Sequence, residues 1–467
     1  MAVGQRIGAL AAAGAFALGL LFVQLAAEQP AAAQSAAAAA AAAANPEYQA
    51  LFKRMYADPS NLDVTFKFAE LATKLGDYEA AIGALERMLY FNPNLPRVKL
   101  ELGVLYHRIG GLKIAKSYFE QALATPGVPP DVVQHVNEFM QNIDTRLSPH
   151  KYGGFLHAGW RHQSNASAGP NDLTVQALGN PATLNAKNAA APDWNKFVTG
   201  GAFYTYEFSD TLWLETNLVG YYAKQDRLRQ FDLGIAEVQA GPRFAVPLIN
   251  GSMRVYAIGT KAILAEDPYY QGPGAGVSSR FAIGNVARFE PSYEYRDRQY
   301  KNSVDYPLAA QLTGKLHTLA TTAEGTLFGA LPWAARLAAD WNRTVKTLPT
   351  VAVAVPSSND EFNSYDRLAA DIAFPIPFVI PWFDEKKQAV FTPGAGVSRT
   401  RYLEPDALIN ETIARLDREW HVSGSLDVQI YDRFGLRTQV YYTKTHSSLP
   451  NFESKNIAIS FGPTARF

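Results

Sequence analysis

Asn456-Ile457-Ala458-Ile459-Ser460-Phe461-Gly462-Pro463-Thr464-Ala465-Arg466-Phe467 stands at the end of the sequence and changes character at every step. Successive side chains of an extended strand point to opposite faces. Ile457, Ile459, Phe461, Pro463, Ala465 and Phe467 therefore share one face. Asn456, Ala458, Ser460, Gly462, Thr464 and Arg466 share the other. An apolar face backed by a small or polar one suits a strand with hydrocarbon outside and a wet lumen inside.

The same two-residue rhythm recurs upstream as far as Gly153. Trp420, Val422, Leu426 and Val428 oppose His421, Ser423, Ser425 and Asp427. Leu368 and Ile372 oppose Arg367 and Asp371. Leu337 and Trp341 oppose Arg336, Asp340 and Asn342, and Phe289 and Tyr293 oppose Arg288, Glu290 and Glu294. Fourteen strands are expected, beginning near 153, 196, 211, 231, 253, 274, 286, 312, 333, 364, 387, 417, 433 and 454. Short connections near Ser209-Asp210, Asn250-Gly251, Gly284-Asn285, Ala330-Leu331, Asp384-Glu385 and Asp432 alternate with longer ones near 166–194, 225–230, 266–273, 299–311, 345–362, 402–415 and 446–453. Short periplasmic turns and long outer loops are the habit of transmembrane barrels, and an even strand number returns both ends to one side. A soluble sandwich would instead bury the apolar face against a second sheet. Trp160, Trp213, Tyr221-Tyr222, Trp341, Trp382 and Trp420 are candidates for interface girdles.

Residues before this region have another period. Gly76 recurs as Gly110, Ala81 as Ala115, Leu85 as Phe119 and Pro59 as Pro93, each 34 residues on. That is the tetratricopeptide signature, in which each helix pair leaves an apolar face for its neighbour to bury. The units fall near 62–95 and 96–129, and a capping helix over 131–146 has Asp131 as a candidate N-cap. Spacing puts Asp63, Phe66, Glu70 and Lys74 of unit one, and Arg97, Leu100, Val104, His107 and Arg108 of unit two, along a concave face. That face is either a partner-binding groove or a solvated spacer.

The first 33 residues read as an export signal: Arg6, then an apolar run from Ile7 to Leu25, then small residues at Ala26-Ala27 or Ala31-Ala32-Ala33 for cleavage. A retained membrane helix is the alternative. An Ala-rich linker occupies 34–45, the repeat domain 46–148 and the barrel 153–467. The fold class is thus α+β in separate domains, an N-terminal α-helical repeat domain followed by an antiparallel transmembrane β-barrel.

Lys+Arg and Asp+Glu are both 43, giving zero formal net charge, which argues against nucleic acid as a partner. The chain has no cysteine, which removes thiol chemistry, disulfides, Cys-ligated metal and an N-terminal lipidated Cys. No catalytic, metal or cofactor site is expected. His157 and His162 fall on opposite strand faces, Gly314-Lys315 lacks the rest of a phosphate loop, and Gly272-Pro273-Gly274-Ala275-Gly276 reads as a surface loop. No nucleophile elbow occurs. The charges on the lumen face either pair across strands as braces or line a conduit for a polar substrate.

Together these features resemble the surface lipoprotein assembly modifier family, over roughly residues 45–467. The residues that carry the resemblance are the second repeat with its extension, Asn94 to Arg146, and the first strand and turn, Trp160-Arg161-His162-Gln163-Ser164-Asn165-Ala166-Ser167-Ala168-Gly169-Pro170. Phe467 resembles the C-terminal signal read by the barrel assembly machinery. The resemblance implies an outer-membrane protein with its repeats in the periplasm. Its partners would be a protein client or periplasmic protein, outer-membrane lipid and the assembly machinery, and its barrel would help a client reach the surface. An exopolysaccharide export porin and a non-transporting scaffold or passive porin, its lumen plugged by loops such as 166–194, are the alternatives.

Overall fold

The computed structural model describes residues 42, 44–125, 128–284, 287–345, 361–380 and 388–467. The export signal, nearly all of the Ala-rich linker, Asn285, most of the 345–362 loop, Trp382 and Asp384-Glu385 lie outside the described residues. The helices up to Pro149 form one compact unit and His150–Phe467 another.

Six helices make up the first: α1 Pro46–Ala57, α2 Leu62–Leu75, α3 Tyr78–Phe91, α4 Pro96–Arg108, α5 Leu112–Leu123 and α6 Pro130–Leu147. Their starts are written locally. Asn45, Asn61 and Asp77 cap α1, α2 and α3 by accepting backbone N–H bonds, and proline opens α1, α4 and α6, where its missing N–H costs nothing. Gly76 and Gly110 both turn the chain at φ +83°, a left-handed conformation that glycine adopts without penalty. Phe68, Ala72, Ala81, Leu85, Leu102, Ala115 and Phe119 are buried where the repeat pattern puts them. Gly103 lies against the Phe119 ring, and a Cβ there would come within 2.6 Å of it. Two details differ from the sequence reading. A further helix, α1, precedes the repeats and packs Tyr48 and Phe52 on Phe68. Asp131 is not the N-cap of α6 but lies in its first turn, because the helix already starts at Pro130; its charge there faces the positive end of the helix dipole.

The second unit is a closed antiparallel barrel of fourteen strands. The chain runs β1 His150–Gln163, the loop hairpin β2 Thr174–Ala177 and β3 Asn180–Thr183, β4 Asp193–Ser209, β5 Leu212–Gln225, β6 Leu233–Val246, β7 Gly251–Leu264, β8 Asp267–Ile283 and β9 Ala287–Tyr300. It continues through β10 Gly314–Leu327, β11 Leu331–Thr344, β12 Tyr365–Ala373, β13 Ile376–Val379, β14 Gln388–Tyr402, β15 Leu416–Gln429, β16 Phe434–Ser447 and β17 Ser454–Arg466. Sequential strands pair, β1 pairs with both β4 and β17, and β12 meets β14 to complete the ring. β13 continues β12 beyond Phe374-Pro375 along the same edge of β14.

Strand parity divides the side chains. Leu337 is 61% exposed, Leu368 63% and Phe461 45%, whereas inward Ser460 is 3% exposed and inward Arg243 is fully buried. An apolar band on the outside with polar groups inside is the mark of an outer-membrane type of barrel. Parity also corrects the aromatic girdle. Trp160, Tyr222, Trp341 and Trp420 face out, but Trp213 donates to inward Glu215 and Tyr221 is buried beside Arg161, since neighbours on a strand cannot share a face.

The reading of 266–273 as a long connection, and of Gly272–Gly276 as a surface loop, is overturned. From Asp267 onward both belong to β8, whose glycines at 272, 274 and 276 face inward. A Cβ at Gly274 would meet the Tyr295 carbonyl at 2.3 Å and one at Gly276 the Tyr256 ring at 2.5 Å. The β7–β8 connection is only Ala265-Glu266, with φ +53° and +67°, the two positive angles of a type I′ hairpin turn. Neither residue announces that turn. Replacing the pair by Asn-Gly relieves the strain, and the double variant should gain about 1 kcal/mol in the urea midpoint of the folded barrel, a rise that is absent if the turn is not strained.

Candidate functional site

On the repeat unit, the proposed groove residues separate into two groups. Phe66 of α2 and Arg97 of α4 meet across the repeat boundary, the guanidinium lying 4.9 Å from the ring centre. Asp63 is exposed nearby in the first turn of α2, and Glu70 and Lys74 pair with each other at 3.0 Å along the same helix. Leu100 and Val104 instead face α6 across a cleft of about 200 Å³, lined also by Phe119, Asp131, Val132, His135, Val136 and Phe139. His107 does not line it but meets α6, with its ring edge-on to Phe139 at 5.4 Å and Nε2 3.2 Å from Asn142 Oδ1. Arg108 stacks over Tyr78. The α6 residues were missed as lining, although Val132, Val136, Phe139 and Ile143 recur at helical spacing.

Tyr48 ties α1 to the turn between α2 and α3 by donating to Asp77 Oδ2 at 2.8 Å. Burial, then that bond and the Asp77 charge, push its hydroxyl up to about 12.

Inside the barrel many of the charges are paired. Near the short-turn end, Glu215 of β5 lies 2.8 Å from Arg243 of β6 and 3.4 Å from Arg254 of β7. Glu290 of β9 lies 2.8 Å from Arg243 and 2.9 Å from Arg280 of β8. Midway up, Arg296 bonds Glu237 at 2.6 Å and Glu294 at 2.7 Å, while Thr260 and Tyr256 donate to the same two carboxylates. Across the lumen, Arg437 pairs with Asp427 at 2.6 Å and Arg367 with Asp340 at 3.4 Å. His157 points inward against Phe197, and His162 points outward against Trp194, so the two never converge.

The loop end is partly filled. The β9–β10 loop places Tyr306 and Ala309 in a buried cluster with inward Leu233, Leu264, Phe197 and Tyr221 and with Tyr269. Tyr306 donates to the Gln230 carbonyl, and Arg161 extends the cluster by stacking 4.6 Å over Phe197. The 166–194 segment, a plug only in the scaffold or passive-porin alternative, is tied to neighbouring loops. Leu178 and Gly179 N–H groups bond the carbonyls of Leu408 and Ile409, and Asn451 exchanges two bonds with the Gln176 backbone. At its root Asn165 accepts from Gly169 N–H and donates to the Gly169 and Lys455 carbonyls, fixing the turn before Pro170.

No family profile and no curated protein matches the chain. Among solved structures, MamA is similar to the helices at 20% identity, covering 21% of this chain with a TM-score of 0.20; the chain spans only 56% of that structure's length. A FadL homologue from Pseudomonas aeruginosa is 10% identical over 68% of this chain and 90% of its own, with a TM-score of 0.35. A bacterial polysaccharide outer membrane secretin is 9% identical over 68% of this chain and 98% of its own, with a TM-score of 0.33.

Two outcomes follow from these contacts. Glu215→Gln leaves Arg243 and Arg254 short of a counter-charge in a confined lumen, and should lower barrel stability by on the order of 3 kcal/mol in urea unfolding; an unchanged midpoint would show that water screens the cluster. Because the folded Tyr48 pKa is raised, its contribution is complete below the unfolded value of about 10 and is lost as pH rises through about 12. Helical circular dichroism should therefore fall over that window, and less steeply in Tyr48→Phe.

Proposed function

We propose that the protein lies in a bacterial outer membrane with its short turns and repeat unit in the periplasm, and that it is a non-enzymatic export or surface-display factor. In this reading the repeats capture a protein client and the barrel assists its passage outward. The observation that carries the proposal is the paired-helix surface itself, where Phe66 and Arg97 offer an apolar face and a cation to an extended peptide, with the Leu100–Val104 cleft beside them. In sequence, Ser148 and Pro149 connect the last helix of the repeat unit to β1.

The alternatives are less well supported by the interior. A conduit for a polyanionic sugar calls for an excess of one charge, and here both signs neutralise each other. A passive pore calls for an open lumen, whereas Tyr306 and its neighbours occupy part of the loop end.

The test is the double variant Phe66→Ala/Arg97→Ala, expressed as the full chain and screened by surface proteomics against wild type and a deletion strain. Both mutants should lose one surface protein, by about tenfold for a lost anchor pair, while its periplasmic level stays constant or rises. Loss of extracellular polysaccharide instead, or an unchanged surface proteome, sinks the client reading.

A further inference from the structure

Among the described strand residues, the outer wall of the barrel is charged at one end only. Around the short turns it presents Tyr152, Tyr204 and Phe208. Near the long loops, on the arc from β14 through β17, β1 and β4 to β5, parity turns Arg401 outward, opposite Asp366 of β12, together with six further cations: Arg399, Arg418, Lys444, Lys455, Lys196 and Lys224. Each lies within four residues of a strand end that enters a long loop. The lipid-facing positions of this arc hold no carboxylate, and among the described residues none of the six has an ion pair.

Register makes the arrangement unusual. Arg399 is directly opposite Arg418, Lys444 opposite Lys455, and Lys196 opposite Lys224. Residues so placed have Cα atoms roughly 5 Å apart, and like charges there repel. Elsewhere at this end like charges also meet, Lys315 opposite Arg343, but there carboxylates share the outer face: Arg343 pairs with Asp366 at 2.7 Å, and Asp297 is opposite Lys315. Beneath the Lys444–Lys455 pair the Trp420 and Tyr442 rings lie 5.1 Å apart, as aromatics do at the level of lipid headgroups. The cations thus stand where headgroups begin, in pairs that an anion between them makes favourable.

We propose that these three pairs bind the phosphates of an outer-leaflet glycolipid, each phosphate shared by two cations from adjacent strands. A phosphate monoester carries a charge of nearly −2 at neutral pH, which matches a pair of cations. The single charge of a glycerophospholipid diester does not. The inference rests on the outer-membrane reading above, with the long loops outside.

The experiment uses the full-length protein in a zwitterionic detergent and lipopolysaccharide bearing its monoester phosphates. Bound lipopolysaccharide is quantified after washing for wild type, for R399Q/R418Q, K444Q/K455Q and K196Q/K224Q, and for the six-residue variant. Each double variant should retain less, and the six-residue variant about tenfold less. Phosphatase-treated lipopolysaccharide should bind at that same low level, and phosphatidylglycerol at equal phosphate should compete poorly. Full retention by the six-residue variant, equal binding of the dephosphorylated lipid, or equal competition by phosphatidylglycerol overturns the proposal. Heat-modifiable migration on a gel reports folding separately. A wild-type chain that neither shows it nor inserts into vesicles would sink the membrane reading instead.

Discussion

Closure of the sheet is the constraint on which everything else depends. In hydrocarbon each unpaired backbone N–H or C=O costs several kcal/mol, so a sheet can cross only without edges. The ring is completed where Tyr365–Ala373 of β12 runs against Gly394–Tyr402 of β14. This is also the least regular part of the wall. Pro375 cannot donate, and the Phe374 N–H reaches the Pro393 carbonyl before the strand resumes as β13. The seam is kept across a proline by letting one strand be made of two pieces.

Once the ring is closed, parity assigns each residue to lipid or lumen, and parity is what the sequence displays best. The Ile457–Phe467 alternation and its upstream counterparts identify the wall without any contact information, because hydrocarbon and water select opposite side chains. Parity is silent where a strand breaks the binary code. Gly272–Gly276 has no large side chain to declare a face; its glycines are there because the Tyr295 backbone and Tyr256 ring press close. Ala265-Glu266 turns the chain with residues that dislike positive φ, so the turn is invisible to composition.

The repeat unit shows the same division between local and non-local information. Gly76 and Gly110, 34 residues apart and both at φ +83°, can be read from spacing because a helix end needs a left-handed residue. Helix α1 escapes that reading because it belongs to no repeat, and only its Asn45-Pro46 start marks it. The groove is half legible. Spacing puts Phe66 and Arg97 on one face, but cannot say that α6 will settle over Leu100 and Val104. That depends on the tertiary packing of Phe139 against Phe119, whose ring centres lie 5.6 Å apart.

The lumen gives the last step. Apart from Arg296–Glu294 within β9, the arginines and glutamates paired from β5 to β9 lie on different strands, so each of these ion pairs is also a strut between two strands of one wall. Such bracing resists expansion, since opening the wall separates charges where little water screens them. Among the described residues the opposite wall has fewer struts, and the loop end holds packed side chains around Tyr306 alongside short-range pairs such as Arg227–Asp193 and Arg415–Asp417. Packed tyrosines yield at lower cost than buried charges, because moving them leaves no uncompensated ion behind. A barrel built this way holds its strand frame fixed and places its adjustable material in the loops, and in the export reading that is where a client emerging on the outer face would meet it.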